Sequence, residues 1–148
     1  MFVNFLNRNR DFGILLIRIA VGLAFIFVYG KMKMFGGPDF WGKMGGNMAI
    51  IGISFAPVFW GFLNACAEFI GGIFFTLGLF TRFTSFIMAF NMFIAAVTHF
   101  SAHDPWSKPI VPVQLVAVFL AMIFFGAGKY SLDYLISKMR KKESPESS

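Results

Sequence analysis

Four long apolar runs, at about residues 14–35, 59–80, 83–100 and 110–127, leave this 148-residue chain few ways to fold. Each holds about 18–22 residues, enough at 1.5 Å per helical residue to cross a hydrocarbon core of about 30 Å. Composition points the same way: 57% of residues are hydrophobic and only 14% charged, with 22 Phe and 9 Met. A soluble domain carries about 25% charged residues, so a water-facing shell over this much apolar surface is not available. The expected fold is all-α, an integral membrane bundle of four transmembrane helices, with lipid as its solvent.

The net charge of +6 does not mark a nucleic-acid surface, because the basic residues flank the apolar runs instead of clustering. They act as topology signals, since cytoplasmic flanks carry the excess of Lys and Arg. Arg8, Arg10, Arg82, Lys129, Lys138, Arg140, Lys141 and Lys142 fall on one side, and Lys31, Lys33, Lys43 and Lys108 on the other. Both termini are therefore expected in the cytoplasm. The first run is too long for the core of a cleavable signal peptide, so it is expected to stay as the first span. Residues 1–135 form the membrane domain in this reading, and 136–148 a basic and then disordered cytoplasmic tail.

Between the first two spans, residues 36–57 form a long extracytoplasmic loop that mixes glycines with Phe40, Trp41 and Met44. Two readings stand: an interfacial segment anchored by aromatics, or a lid over a site between the helices. Cys66 is the only cysteine, which excludes an intramolecular disulfide and a paired-thiol relay. Glycine-rich phosphate loops are absent, and no third or fourth ligand accompanies the His99 and His103 pair, so no metal site is expected.

Ionisable groups inside spans cost several kcal/mol, about 2.5–3.5 even on the lenient insertion scale, so each needs a partner or a task. Glu68 lies near the middle of the second span. Helical stepping places it on a small and polar face with Gly61, Asn64, Ala65, Gly72 and Thr76. The same stepping gathers Arg18, Gly22, Ile26, Tyr29 and Lys33 on the first span. It gathers Ser85, Ala89, Met92, Ala96, His99 and His103 on the third, and Gln114, Ala117, Ala121 and Gly128 on the fourth. The four faces are expected to converge on a ligand-binding or proton-handling core of Arg18, Tyr29, Lys33, Glu68, His99 and Gln114. Glu68 with Arg18 or Lys33 then reads either as a buried ion pair holding the bundle or as a protonatable site.

The segments L-L-I-R-I-A-V-G-L from Leu15, G-K-M-K-M-F from Gly30, A-x-x-E-F-I-G-G from Ala65, G-L-F-T-R from Gly78 and G-A-G-K-Y-S-L-D from Gly126 resemble the DoxX family of small four-helix membrane proteins. The resemblance covers about residues 14 to 133 and emphasises Arg18, Lys33, Glu68, Arg82 and Asp133. Gln114 departs from it, standing where the family often has Glu. A structural role is expected for Arg82 and Asp133, with Asp133 bonding the last turn of the fourth span or pairing with Arg82.

Members of this family are linked to quinone-reducing oxidoreductases, such as the membrane subunit of a thiosulfate:quinone oxidoreductase. The resemblance thus implies a bacterial inner-membrane subunit that binds a quinone or similar amphiphile, has no intrinsic redox cofactor and works with a soluble oxidoreductase. A small proton-coupled transporter, a lipid-interacting protein and a purely structural subunit are the alternatives. The Phe-rich outer faces leave room for a homo-oligomer.

Overall fold

A computed structural model describes residues 9–143, all of whose regular structure is helical. The first helix, α1, runs from Arg10–Met34 and is followed by the short α2 (Gly37–Gly45) and a 3₁₀ turn (Gly46–Ile51). The remaining helices are α3 (Pro57–Leu77), α4 (Thr81–Ser101), α5 (Ile110–Phe125) and α6 (Leu132–Glu143). Three of them, α1, α3 and α4, are long and apolar enough to cross a membrane. The fourth apolar helix, α5, has 16 residues, because Gly126 turns the chain out of it at φ 71 and ψ −164. The basic stretch beyond 136 continues as helix α6 to Glu143, and residues 144–148 of the expected tail lie outside the described residues.

Burial is inverted relative to a soluble protein. Phe124 is 80% exposed and Phe83 67%, while Arg18 and Glu68 are each 1% exposed. Apolar side chains pointing outward while the charged groups within the spans are buried are what a lipid solvent selects, since hydrocarbon solvates phenylalanine and rejects charge. The apolar part of the interior is a cluster of Phe25, Phe75 and Phe119 with Ile14, Met88, Met92 and Met122. The ring of Phe119 meets those of Phe25 and Phe75 edge to face at centroid distances of 5.5 and 5.2 Å.

Helix α1 is not a uniform rod. Its buried positions are Ile14, Arg18, Gly22, Phe25 and Gly30, and the step of five after Phe25 is a π-helical turn at Phe25–Gly30. Such a turn inserts one residue and shifts the buried face of everything after it by one position. Uniform stepping places Ile26 and Tyr29 inward. The π turn leaves Tyr29 37% exposed and brings Gly30 against the backbone of α3 at Phe69.

The segment expected as a long loop at 36–57 is largely helical and packs tightly on α3. Trp41 donates its indole N–H to Lys33 O at 2.8 Å, and its ring stacks edge to face on Phe62. The contact with α3 is backbone on backbone: a Cβ on Gly61 would overlap Trp41 O, and one on Gly45 would overlap Pro57 O. Only glycine permits this approach, so α2 packs backbone to backbone on α3. Gly61→Ala is expected to force the helices apart and cost about 2–3 kcal/mol, read as a lowered melting temperature in detergent. Gly46→Ala, with nothing within 4 Å of its Cβ, is the control and should melt with the parent.

Candidate functional site

Glu68, buried in the middle of α3, accepts a hydrogen bond from Lys33 Nζ at 2.5 Å and another from Asn91 Nδ2 at 3.0 Å, both on Oε1. Asn91 also reaches Asn64 Oδ1 at 3.5 Å. Lys33 comes from the last turn of α1, Asn91 from the middle of α4 and Asn64 from one turn before Glu68, so three helices build the cluster. Two polar atoms nearby make no hydrogen bond: Glu68 Oε2 and the indole Nε1 of Trp60 are both buried without a partner among the described residues. An unsatisfied buried carboxylate oxygen is costly, about 1–3 kcal/mol or more for a charged group, and calls for a donor that the surrounding side chains do not supply.

Space for such a donor lies next to it. One cavity of about 340 Å³ is lined by Lys33, Glu68, Asn64, Asn91 and Trp60, with Gly45, Asn47 and Met48 covering it from the α2 side. A second, of about 300 Å³, lies between the π turn of α1 and the start of α5 and is lined by Tyr29, Phe25 and Pro112. Lys33, Glu68, Ala95 and His99 belong to both walls. A third cavity of about 430 Å³ between α3 and α4 is almost wholly apolar, includes Cys66, and shares Leu63, Ala67 and Ile87 with the first. A chamber with Lys33, Glu68, Asn64 and Asn91 among apolar walls thus adjoins an almost wholly apolar groove between α3 and α4.

His99 closes one end of the polar chamber. Its Nδ1 lies 2.8 Å from Asp104 Oδ2, and the other oxygen of Asp104 accepts from Lys108 Nζ at 2.8 Å. An ionised carboxylate only accepts, so Nδ1 carries the hydrogen in this arrangement. The partnership with Lys108, and next that with His99, holds the Asp104 carboxyl below its ordinary 3.8. A depressed carboxyl contributes stability that is fully present above its unfolded value and fades as pH falls through the lowered one. Asp104→Asn is therefore expected to lower the melting temperature at pH 7, with the difference shrinking only once pH falls below 3.8 and vanishing below the lowered value, as read from melting curves across that range. His103 does not join His99 on a helix face, because α4 ends at Ser101 and His103 takes a left-handed backbone at φ 53.

The remaining residues expected at the core separate. Arg18 is two turns away from Glu68, at the other end of α3. There its guanidinium donates to Phe75 O at 3.1 Å, Thr76 O at 2.8 Å, and Ala127 O and Tyr130 O at 2.8 Å each. Gln114 is exposed on the outer face of α5, whose buried positions are Pro112, Phe119 and Met122. Helix α5 is apolar all round and carries no 3.6-residue contrast, so its inward face is chosen by the fit of Phe119 between Phe25 and Phe75. Asp133 bonds neither the last turn of α5 nor Arg82. Its two oxygens accept from Phe80 N and Thr81 N at 2.8 and 2.9 Å, capping the start of α4 from another helix. Asn91, which stepping along α4 passes over, and Trp60 are the additions, and an amide in the middle of an apolar run is the available signal for the first.

Two comparisons bear on this arrangement. The DoxX family model matches residues 13–103, well over half of the chain. This chain belongs to the DoxX family. A protein of Bacillus subtilis (strain 168) named "Putative oxidoreductase CatD" is 31% identical over 93 residues, 63% of either chain, so the match spans under two thirds of that relative. No solved structure matches.

In this DoxX chain the motif residues divide between two centres. Lys33 and Glu68 face the cavities. Arg18, Gly78 and Asp133 form a knot at the opposite end, where the αL residue Gly78 (φ 68) leaves no room for a Cβ, which would overlap Arg18 Nη2. Asp133 N donates to Gly78 O at 3.0 Å, closing the knot. The first centre has a buried carboxylate oxygen without a donor beside its cavity; in the second, each nitrogen of the guanidinium has a carbonyl partner, while a cavity of about 570 Å³ lined by Thr81, Ser131 and Asp133 lies alongside and Thr81 Oγ1 is buried without a partner among the described residues.

Proposed function

We propose that this DoxX chain is a bacterial inner-membrane protein of four spans, with both termini cytoplasmic, that binds a quinone or similar amphiphile beside the Lys33–Glu68 pair. Its role is that of a membrane subunit of an oxidoreductase system, with a soluble partner supplying the redox centre. The observation that carries the reading is the buried, unpartnered Oε2 of Glu68 in a polar chamber that adjoins an apolar groove. A headgroup fits the chamber, and an isoprenoid tail fits the groove of Leu63, Ile70 and Phe74. The word oxidoreductase in the name of the Bacillus relative supports the same direction. Helix α5, at about 24 Å by its rise, crosses as the fourth span with modest thinning of the bilayer.

The test is purification in mild detergent, extraction and quantification of bound quinone. Wild-type protein is expected to retain quinone, and Glu68→Gln to retain at least tenfold less while remaining monodisperse. Absence of retained or competable quinone in the wild type overturns the reading. A reporter fused after Glu143 checks the cytoplasmic C-terminus.

A second reading has one observation in its favour. Lys33, Glu68 and His99 line cavities on both sides of the ion pair, the arrangement a proton-coupled carrier uses at its midpoint. Proton-driven solute uptake into vesicles that is lost in Glu68→Gln supports this alternative, and no uptake under a pH gradient discards it.

A further inference from the structure

We infer that the site takes a quinone in its reduced, hydroxyl-bearing form in preference to the oxidised form; this rests on the reading that the chamber binds a quinone. The preference follows from the donors and acceptors around one carboxylate. Lys33 Nζ and Asn91 Nδ2 both donate to Oε1 of Glu68, at 2.5 and 3.0 Å. Oε2 is buried and has no donor among the described residues. Oε1 accepts from the Lys33 ammonium, and as the carboxylate of that ion pair Glu68 offers a ligand acceptors only.

What Glu68 offers a ligand is thus a lone pair with no proton attached, and what it needs is an O–H. The oxygens of an oxidised quinone only accept, so one placed against Oε2 sets two acceptors face to face in a low-dielectric chamber. A quinol hydroxyl donates and makes a charge-assisted bond, the stronger and shorter class. Lys33 Nζ and Asn91 Nδ2 each keep a further N–H beyond the one directed at Oε1, but a quinone carbonyl and a quinol oxygen accept from these alike, so the discrimination rests on Oε2, which only an O–H can satisfy. The indole N–H of Trp60 is two turns along α3, about 12 Å by rise, and serves a different part of the ligand.

The experiment measures binding, not turnover. Purified full-length protein is titrated under anaerobic conditions with a decyl-tailed benzoquinone and, separately, with the same compound reduced to its quinol. Binding is read calorimetrically and by tryptophan quenching, Trp60 being on the chamber wall. The quinol is expected to bind at least tenfold more tightly, which raises the potential of the bound two-electron couple by about 30 mV. In Glu68→Gln, whose amide both donates and accepts, the ratio is expected to fall toward one. Equal affinities in the wild type, or a preference for the oxidised form, overturn the inference and leave the quinone reading standing. Binding of neither form overturns both. The wild-type ratio is decisive by itself, so the inference stands or falls even where Glu68→Gln does not fold.

Discussion

Lys33→Met is expected to destabilise the bundle by about 3–5 kcal/mol at neutral pH, the cost of leaving a buried carboxylate without its cation. Among the described residues Lys33 Nζ is the only cation within 4 Å of Glu68, and the Glu68 side chain is 2% exposed against 18% for Lys33. Removing the lysine therefore strands a charge that solvent cannot reach. Replacing both partners, as Lys33→Met with Glu68→Leu, should recover most of the loss, since a buried pair exchanged for apolar residues of similar size is often neutral. Thermal unfolding in detergent at pH 7 reads both outcomes. A single variant as stable as the parent, or a double variant no better than the single, would show that the pair does not hold α1 against α3. Recovered stability with quinone retention still absent would separate the binding role of the pair from its structural one.

The second large effect is at the other centre. Arg18→Met removes the donors to Phe75 O, Thr76 O, Ala127 O and Tyr130 O, four carbonyls at a helix end and a turn. Each orphaned acceptor that stays buried costs about 1–3 kcal/mol. Even with local relaxation the sum is expected to exceed about 4 kcal/mol and to abolish a sharp melting transition. Arg18→Lys should recover only part of this, because a single ammonium has three donors and no planar fork to span four oxygens. Size-exclusion chromatography after mild heating measures it. Whatever fraction of Arg18→Lys protein folds is expected to retain quinone, and its loss there would return Arg18 to the binding site.

Both effects depend on a division that helical stepping along the chain does not reveal. Glu68 and Lys33 are legible as partners because an ionisable group deep in an apolar run needs an opposite charge, and few are within reach. Arg18 is legible as buried and functional by the same rule, yet its partners are carbonyls of residues up to 112 positions away, which no periodicity encodes. The π turn at Phe25–Gly30 sets Gly30 against α3 and leaves Tyr29 part-exposed on the wall of the second cavity with Lys33 and Glu68, and such an inserted residue has no fixed sequence signature. Gln114 is misplaced for a different reason: with hydrocarbon on one side and an apolar core on the other, α5 has no composition gradient to follow.

Order and composition along the chain are enough to establish the solvent, the helical class, the position of each long span and the identity of the central carboxylate. Backbone satisfaction and charge burial in hydrocarbon are local demands with few solutions. Only the packing of the helices separates the motif residues into a carbonyl-bonded knot at Arg18 and a chamber at Glu68. Packing likewise folds residues 37–51 into a helical cover welded by Gly45 and Gly61, and brings Asn91 in to complete the site. Those outcomes depend on which backbones approach closely and which carbonyls are left over where helices end, quantities that exist only once the helices are packed.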